Sequence, residues 1–304
     1  MKIRLIGLGK MGENIALNLI DHKHTVYGYD ISEETRKKLI NTKIEIKNSY
    51  KEVLEREGNE KIVVWMLVPN QFVTNVIEDI KPFLKKGDII IDAGNSNYNL
   101  SVKRYHELKE QGLNFIDVGT SGGTYGARNG ACLMVGGDYN VVKEIEQVFV
   151  DISIENGYGY FGEAGAGHYV KMVHNGIEYG MMQAIGEGLE LVEKSQYDVD
   201  FEKLTKVWNH GSIIESALIG YMHEAFKNDP KLETLEGRID DSGEGKWTVE
   251  EALRLEVSMP VITNSLFVRY KSRDLSKFSE KSVAAMRKVF GGHAIYKKKW
   301  KKKS

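Results

Sequence analysis

A glycine-spaced turn near the N-terminus constrains the fold of this chain more than any other feature. The residues Gly7-Leu8-Gly9-Lys10-Met11-Gly12 follow an apolar run, Ile3–Ile6, and precede an amphipathic stretch. The first glycine permits a tight turn, the second lets the backbone approach a pyrophosphate, and the third lets the helix pack against the strand. Free N–H groups at the start of the helix then bind phosphate. The turn therefore predicts a strand–turn–helix unit that binds a dinucleotide.

The first half of the chain alternates short apolar runs with amphipathic stretches, which is typical of a parallel sheet. The expected strands are Ile3–Ile6, Thr25–Tyr29, Ile62–Leu67, Ile89–Asp92, Asn114–Asp117 and Cys132–Val135. The expected helices include Glu13–Asp21, Glu33–Thr42, Gln71–Ile80 and Ser101–Gln111. Most of the strand runs are rich in Ile and Val, so they are predicted to be buried and parallel.

The pattern changes near Gly159, and the second half is predicted to be helical. Residues 165–195 contain no proline and carry apolar residues at helical spacing. Further helices are expected at Phe201–Asn209, Ile213–Lys227, Val249–Glu256, Pro260–Tyr270 and Ser279–Val289. We therefore predict an α/β Rossmann-type dinucleotide-binding domain, residues 1–164. An all-α substrate and dimerisation domain, residues 165–304, is expected to follow it.

Composition limits the classes of protein to which the chain can belong. Of its 304 residues, 41% are hydrophobic and 28% are charged, which suits a folded globular protein. The formal net charge of −1 argues against nucleic-acid or membrane binding, and no run reaches the ~18 apolar residues of a membrane span. The single Cys132 excludes an intrachain disulfide, and the glycine-interrupted N-terminus is not expected to act as a signal peptide. A cytoplasmic location is expected, with the basic residues 297–304 as a solvated end.

Asp30 lies 18 residues after Gly12, at the end of the second expected strand. A carboxylate at that place accepts hydrogen bonds from the ribose hydroxyls of an adenosine and repels a 2′-phosphate. The nearest arginine, Arg36, is expected about one and a half turns into the following helix. The sequence therefore predicts NAD rather than NADP as the cofactor. The alternative is that Asp30 only caps the next helix.

The long proline-free segment carries Lys171, Asn175 and Glu178. At about 100° per residue, these side chains fall within about 60° of one helix face. Such a face is usually exposed and ion-paired, but here apolar residues and glycines surround it, and it begins where a substrate domain should begin. A lysine that is desolvated beside a bound cofactor has a lowered pKa and can act as a base. We interpret this face as catalytic.

Two glycine-containing segments are expected at the carboxyl ends of strands, where open α/β sheets bind their ligands. The segment Asp117–Gly123 offers the Ser121 hydroxyl and the N–H groups of the two following glycines to a substrate carboxylate. The segment Asp92–Ser96 presents Asn95, whose amide can bridge cofactor and substrate.

Together these segments resemble the 6-phosphogluconate dehydrogenases, which belong to the wider β-hydroxyacid dehydrogenase superfamily. The motifs GLGKMG, IDAGNS, TSGG and above all KMVHNGIEYG carry the resemblance. It continues through GKWT at Gly245–Thr248, FVR at Phe267–Arg269 and RKVFGGH at Arg287–His293, so it covers nearly the whole chain. With 304 residues, the chain is similar to the short, NAD-preferring form, whose helical domain is much smaller than that of the long form.

The resemblance implies oxidative decarboxylation of 6-phosphogluconate with reduction of NAD. Lys171 would take the proton of the 3-hydroxyl as hydride leaves C3. The resulting β-keto acid would lose CO₂ while the protonated lysine polarises its carbonyl. Glu178 would then protonate C1 to give ribulose 5-phosphate, which places the reaction in the pentose phosphate pathway and gluconate metabolism. Asn175 belongs to the same catalytic group, and no metal is implied.

The resemblance also implies binding roles, position by position. The residues implied in substrate binding are Asn95, Ser121, Gly122, Gly123, His174, Tyr179, Arg269, Arg287 and His293. Those implied in cofactor binding are Gly7, Leu8, Gly9, Lys10, Met11, Gly12, Asp30, Val68 and Asn95. In the long enzymes a neighbouring subunit supplies the arginine and histidine of the tail motif. A homodimer or a dimer-based homotetramer is therefore expected.

One loop departs from the family pattern. The long form carries a lysine and a threonine for the phosphate in a stretch like K-G-T-G-K-W, whereas this chain has Ser242 and Glu244 at those places. A glutamate there would repel a phosphate. Either Lys246 compensates for that repulsion, or the loop has a different position in this chain.

Two other functions are compatible with parts of the pattern. A β-hydroxyacid dehydrogenase that oxidises a small unphosphorylated acid without losing CO₂ would share the dinucleotide turn, the SGG turn and the lysine. Such enzymes usually lack the HNGIEYG block. A non-catalytic NAD-binding protein would be expected to have lost Lys171 or Glu178, and both are present.

Overall fold

A mixed sheet forms the centre of the fold within residues 1–296, which are the residues that the computed structural model describes. Its strands are β1 Lys2–Ile6, β2 Thr25–Tyr29, β3 Glu45–Ile46, β4 Val63–Met66, β5 Ile89–Asp92, β6 Asn114–Ser121, β7 Ala131–Gly137 and β8 Ser153–Gly162. They lie side by side in the order β3-β2-β1-β4-β5-β6-β7-β8. The basic end that we expect to be solvated, residues 297–304, lies outside the described residues.

The strands from β1 to β6 are parallel, as the sequence predicts. The strand order reverses at β1 and β4, and open α/β sheets bind their ligands beside such a reversal. The prediction of a parallel strand is wrong for Cys132–Val135, which lies in β7 and runs antiparallel to β6. Residues 122–130 join these two strands, and this connection is shorter than the dozen or more residues that a parallel crossover needs.

Both faces of the sheet are covered, which explains its Ile- and Val-rich strands. Neighbouring residues of a strand point to opposite faces. Leu5 of β1 accordingly enters one buried apolar cluster and Ile6 enters a second one. Burial of each such side chain contributes roughly 1.5–3 kcal/mol to the free energy of unfolding.

Helices connect the strands and cover them. They are α1 Lys10–Asp21, α2 Glu33–Leu39, α3 Tyr50–Val53, α4 Val73–Ile80, α5 Tyr98–Glu110, α6 Gly123–Asn129 and α7 Tyr139–Ile152. The sequence analysis did not predict β3, α3, α6, α7 or β8. The signal for α7 was nevertheless present, because its buried residues Val142, Ile145, Phe149 and Ile152 recur at helical spacing.

The described chain beyond β8 is helical, as predicted. Its helices are α8 Ala166–Glu193, α9 Phe201–Trp208, α10 Ala217–Asn228, α11 Glu244–Arg254, α12 Pro260–Ser272 and α13 Phe278–Gly291. The predicted Rossmann-type α/β fold followed by helices is therefore confirmed. Within residues 1–296, no helix is both long enough and apolar enough to cross a bilayer.

The chain forms two compact units that differ from a simple division by sequence. Among the described residues, the first unit contains Met1–Met181 together with Gly243–Ile262, and the second contains Met182–Ser242 and residues 263–296. The first half of α8 and all of α11 thus belong with the sheet. The domain boundary at residue 164 stays a prediction, because domains and compact units need not coincide.

A carboxylate joins α11 to α5 and α8 inside the first unit. Glu251 is 7% exposed and accepts hydrogen bonds from Tyr98 Oη (2.9 Å) and from Arg254 Nε and Nη2 (2.8 and 2.6 Å). Tyr98 in turn packs edge-on against Tyr169 of α8, with ring centres 5.0 Å apart. The hydrogen bonds from Arg254 and Tyr98 lower the pKa of Glu251 to about 2.

We expect Glu251→Gln to destabilise the first unit most clearly near neutral pH. An unfolded glutamate titrates near 4.5, so the stability that ionised Glu251 contributes is present above that pH and is lost as the pH falls toward 2. The gap between wild type and variant in urea-unfolding midpoint should therefore narrow over that interval. Glu250→Gln, which removes an exposed carboxylate from the same helix, is the control. If the difference in unfolding midpoint between wild type and Glu251→Gln does not change with pH, ionised Glu251 does not contribute this stability.

Candidate functional site

The glycine turn between β1 and α1 has the geometry that the sequence predicts. Gly7 has a φ of +94°, and a Cβ there would lie 2.8 Å from the carbonyl carbon of Leu67. A Cβ at Gly12 would lie 2.9 Å from the carbonyl carbon of Gly7, so both positions require glycine. Nothing lies within 4 Å of the place where a Cβ of Gly9 would be. That open space adjoins the N-terminus of α1, and the residues present therefore fit the pyrophosphate of a dinucleotide.

Asp30 is tied to this turn rather than to the next helix. Its Oδ2 accepts the Leu8 N–H at 2.7 Å, and its Oδ1 accepts the Ser32 N–H at 2.8 Å. The side chain that caps α2 is Ser32, whose Oγ accepts the Thr35 N–H at 3.2 Å. The alternative in which Asp30 only caps the helix is therefore wrong. The carboxylate lies half-buried beside the glycine turn.

Arg36 lies in α2, as expected, but its side chain folds back over the end of β2. Its Nη1 donates to the carbonyl oxygens of Asp30 (2.6 Å) and Ile31 (3.2 Å). Its guanidinium carbon lies 5.5 Å from the centre of the Tyr29 ring. The distance along the sequence therefore overstated the separation, and a cation lies next to the backbone of the predicted ribose-binding residue.

The loops after β4 and β5 lie against each other. A Cβ at Gly94 would lie 2.8 Å from the carbonyl oxygen of Val68, so this glycine permits the contact. Buried Asp92 holds the second loop, because its carboxylate accepts hydrogen bonds from Ser96 Oγ at 2.8 Å and from the Gly94 N–H at 3.3 Å. Asn95 is exposed between these anchored residues, at the carboxyl end of β5.

Arg104 supports this loop from behind. Its Nη1 lies 3.3 Å from Asp92 Oδ2, and both side chains are almost completely buried. Burial lowers the pKa of Arg104, and the Asp92 carboxylate opposes that effect. The pair therefore forms a buried ionic support for the loop that presents Asn95.

Lys171 of α8 is buried at the carboxyl end of β6. It is 7% exposed, and its Nζ donates to Asn175 Oδ1 at 2.7 Å and lies 3.3 Å from His174 Nδ1. Burial lowers the pKa of this lysine, while the carboxylates of Glu178 and Glu244 act in the opposite direction. Lys171 is thus desolvated and is not part of an exposed ion pair, although Glu178 on the same helix face is partly exposed.

A polar chain connects this lysine to the serine at the end of β6. Ser121 Oγ lies 3.2 Å from His174 Nε2, and His174 Nδ1 lies 3.0 Å from Asn175 Oδ1. One consistent assignment has Nδ1 donating to the asparagine and Nε2 accepting from the serine. The structure thereby brings together four of the residues that the sequence analysis assigned to one site.

The neighbouring assigned residues differ in their accessibility. Gly122 and Gly123 follow the serine with φ of +109° and +60° and are exposed at the start of α6. The Glu178 side chain is 40% exposed, and its Oε2 lies 3.9 Å from His174 Nδ1. Tyr179 is buried against α11, where a Cβ at Gly245 would lie 2.6 Å from its Cδ2.

The loop that departs from the family pattern is part of this surrounding structure. Glu244 is the first residue of α11, is 3% exposed, and lies close enough to raise the pKa of Lys171. Ser242 is exposed. Lys246 is exposed, and its Nζ lies 3.4 Å from Glu250 Oε1 on the same helix. The glutamate that departs from the family pattern is therefore buried, and its charge acts on Lys171.

Tyr179 belongs to the first compact unit, whereas the other three residues assigned to the phosphate end belong to the second. Arg269 lies on α12, where its Nη1 donates to the carbonyl oxygen of Asp240 at 2.9 Å. Arg287 is exposed on α13, and His293 is exposed just after that helix. Their position relative to Lys171 stays a prediction.

Sequence reasoning missed the residues that hold α8 in place. Buried Asp117 was considered only as the end of a strand, yet its carboxylate accepts the N–H groups of Gly165 and His168 at 2.6 and 2.8 Å. Thr248 of α11 was not singled out, and its Oγ1 donates to the carbonyl oxygen of Met172 at 2.9 Å. Both interactions join residues far apart in the chain, so no local pattern announces them.

Comparison with known proteins adds family information to this geometry. Residues 2–162 match a family model described as the NAD binding domain of 6-phosphogluconate dehydrogenase. Residues 167–196 match the model of the 6-phosphogluconate dehydrogenase C-terminal domain. The first match alone covers more than half of the chain.

Similar proteins carry related names. A Bacillus subtilis protein, provisionally named 6-phosphogluconate dehydrogenase YqeC, is 51% identical over 298 residues, which are 98% of this chain and 100% of that protein. The NAD(+)-dependent, decarboxylating 6-phosphogluconate dehydrogenase of Haloferax volcanii is 37% identical over 301 residues, with 98% of this chain and 99% of that protein covered.

Solved structures extend the comparison to the fold. The 6-phosphogluconate dehydrogenase of Plasmodium falciparum, described with NADP+ and with 6-phosphogluconate, aligns at a TM-score of 0.81 and 30% identity. This alignment covers 98% of the present chain but 66% of that longer one. The Mycobacterium tuberculosis 3-hydroxyisobutyrate dehydrogenase has a TM-score of 0.70 at 19% identity, with 89% of this chain and 92% of that one covered. At that identity the likeness concerns the fold alone.

Proposed function

This chain belongs to the 6-phosphogluconate dehydrogenase family of oxidoreductases, and on that premise we propose that it oxidises and decarboxylates 6-phosphogluconate with NAD. The observation that carries the proposal is buried Lys171, whose Nζ contacts Asn175 and His174 at the carboxyl end of β6. Because burial lowers its pKa, a larger fraction of this lysine is neutral than of an exposed one. A neutral amine is the base that the first step requires.

Lys171 acts first as a base. Its neutral amine accepts the proton of the substrate 3-hydroxyl, while the hydrogen on C3 leaves as hydride. Bound NAD supplies the hydride acceptor. The hydrogen bond from Lys171 Nζ to Asn175 Oδ1 holds the amine in one position while it receives the proton.

The same lysine then acts as an acid. The 3-keto acid loses CO₂ by breaking its C1–C2 bond, and the electron pair moves into the 3-carbonyl, to whose oxygen Lys171 returns its proton. Glu178 protonates the carbon that becomes C1 of ribulose 5-phosphate, and Lys171 takes up the enediol proton as the ketone forms. The cycle closes when Lys171 releases that proton to solvent and Glu178, whose side chain is 40% exposed, regains one from solvent.

Two groups of residues bind the two ends of the substrate in this proposal. Ser121, Gly122, Gly123, His174 and Asn175 bind the sugar-acid end, with Asn95 between substrate and cofactor. Tyr179, Arg269, Arg287 and His293 bind the phosphate end. Guanidinium groups suit a dianionic phosphate because they form charge-assisted, often bidentate, hydrogen bonds.

The preference for NAD over NADP rests on Asp30. Its carboxylate lies beside the glycine turn, where it would accept the ribose hydroxyls and repel a 2′-phosphate. The NAD(+)-dependent name of the Haloferax volcanii relative supports the preference. Two observations point toward NADP: the Plasmodium falciparum enzyme has NADP+ as its cofactor, and the guanidinium of Arg36 lies next to Asp30 in this chain. The ratio of kcat/KM values for NAD and NADP therefore tests the preference.

We further propose that the protein is a homodimer or a dimer-based homotetramer that shares residues between subunits. In α13, Val283, Met286 and Phe290 are half or more exposed and recur on one helix face. A second copy that covers this face would also bury the helix that carries Arg287. Light scattering with activity measurement tests this proposal, and a fully active monomer would contradict it. A cytoplasmic location stays a prediction from the sequence.

One observation favours the rival function. Glu244 is buried near Lys171, and a carboxylate disfavours a dianionic phosphate. A dehydrogenase that acts on a small unphosphorylated hydroxy acid, without decarboxylation, would tolerate this residue. The fold likeness to 3-hydroxyisobutyrate dehydrogenase is compatible with it.

An assay with 6-phosphogluconate and gluconate, each with NAD and NADP, separates the two functions. We expect NADH and CO₂ to form in equal amounts from 6-phosphogluconate and much more slowly from gluconate. NADH without CO₂ from either substrate would overturn the decarboxylation. Faster turnover of gluconate than of 6-phosphogluconate would contradict the proposal that the substrate is phosphorylated.

A further inference from the structure

We infer that Asp117 and Gly119 of β6 are positioning residues that fix where Lys171 lies. This inference rests on the proposed role of Lys171 as the base. Neither residue has a place in the mechanism above, because neither would touch the reacting atoms. Their contacts instead determine how α8 lies on the sheet.

Asp117 fixes the start of α8. It is 0% exposed, and its two carboxylate oxygens accept the N–H groups of Gly165 (2.6 Å) and His168 (2.8 Å). The first N–H groups of a helix lack partners within the helix, and an anion at that end is favourable. His168 is held a second time, since its Nδ1 lies 2.7 Å from Ser101 Oγ. The first turn of α8 is thus anchored one turn before the lysine.

Gly119 fixes the distance between strand and helix. A Cβ there would lie 2.9 Å from Lys171 Cγ and would overlap Lys171 Cβ. Gly167 makes a similar approach, because a Cβ at that position would lie 2.5 Å from the carbonyl oxygens of Asp117 and Met134. Helix and strands therefore touch backbone to backbone, and any side chain at Gly119 would push the lysine outward.

The two contacts together specify one position of the amine. The anchored first turn sets the rotation and the height of α8, and the glycine sets its depth. A misplacement of about 1 Å in a reacting group can cost about 10²-fold in rate. The polar chain from Ser121 to Lys171 depends on the same placement, since it joins β6 to α8.

Two variants and two matched controls test the inference. Gly119→Ala displaces the lysine, and the isosteric Asp117→Asn removes the charge and one of the two acceptors for the α8 N–H groups. Gly186→Ala changes a glycine of the same helix at which an added Cβ would meet nothing within 4 Å. Asp88→Asn changes another buried aspartate, which accepts the Ile62 N–H (2.9 Å) and pairs with Arg56 (2.5 Å) at the opposite end of β5, so it controls for the loss of a buried charge.

We expect Gly119→Ala to lower kcat by about 10²-fold and Asp117→Asn to lower it less, with the dissociation constant for NAD unchanged. A displaced base should also shift the acid limb of the kcat–pH profile and raise the deuterium isotope effect for hydrogen at C3. A purely structural role would move neither of these readouts once activity is scaled to folded protein. Both control variants should keep the profile of the wild type.

Wild-type kcat, pH profile and isotope effect in Asp117→Asn would overturn the inference for the carboxylate. The same result in folded Gly119→Ala would overturn it for the glycine. If Gly119→Ala does not fold, the isosteric Asp117→Asn still tests whether the anchored first turn of α8 fixes the position of Lys171. An active Lys171→Met enzyme would instead overturn the proposed base, so the two failures are distinguishable.

Discussion

Lys171→Met is expected to lower kcat by about 10²–10⁴-fold, the usual contribution of a general acid–base group. Methionine fills a similar volume but accepts no proton, so the 3-hydroxyl of the substrate would have no base. The lysine is buried and has no assigned role in cofactor binding, so the affinity for NAD should be retained. The effect should be large because one group serves both the oxidation and the decarboxylation.

Steady-state kinetics as a function of pH would test this assignment. Burial lowers the pKa of Lys171, so wild-type kcat should rise with pH through a value below the ordinary lysine pKa of 10.5. That limb should vanish in the variant. Lys194→Met, which removes an exposed lysine just beyond α8, should behave as wild type. Turnover by Lys171→Met at the wild-type rate would show that another group is the base.

Asp30→Ala is expected to reduce the preference for NAD over NADP by about 10–100-fold, measured as the ratio of kcat/KM values. Hydrogen bonds to a charged group contribute about 1.5–3 kcal/mol, and about 1.4 kcal/mol corresponds to a factor of ten. The carboxylate would contribute such bonds to the ribose and repel a 2′-phosphate. Without it, the Arg36 guanidinium nearby would favour the additional phosphate.

Asp30→Asn separates the charge from the shape of the turn. Its amide oxygen still accepts the Leu8 N–H, which the carboxylate accepts at 2.7 Å. If charge sets the preference, both variants should lose it to a similar extent. If only Asp30→Ala loses affinity, and does so for both cofactors, the residue supports the turn and does not select between them. An unchanged ratio in both variants would refute the cofactor argument.

Local sequence patterns predicted most of the elements, because their signals lie within a few residues. The short apolar runs correspond to β1, β2, β4, β5 and β6, and helical spacing identified α8 and the helices after it. The antiparallel direction of β7 was not predictable in this way. Strand direction depends on the length and path of the connection, and the short helix α6 within that connection escaped notice.

The candidate site was partly accessible for the same reason. Lys171, His174 and Asn175 lie on consecutive turns of one helix, so their proximity follows from helical geometry alone. Their contact with Ser121 and the burial of Lys171 require β6 and α8 to pack together. The burial of Glu244 was likewise not predictable from the sequence. Its local sequence indicates a phosphate loop, whereas its burial near the lysine follows from the packing of α11 against α8.

The sequence by itself determined the dinucleotide turn, the parallel strands and the residues of the lysine face, because each is encoded in contiguous residues with a fixed period or spacing. Only the tertiary structure decided that Arg36 folds back to Asp30, that Glu244 is buried near Lys171, and that Asp117 and Gly119 hold α8. These contacts join segments that are separate in the chain or that meet through long side chains. Their energies depend on distance and desolvation, which exist only after the elements have packed.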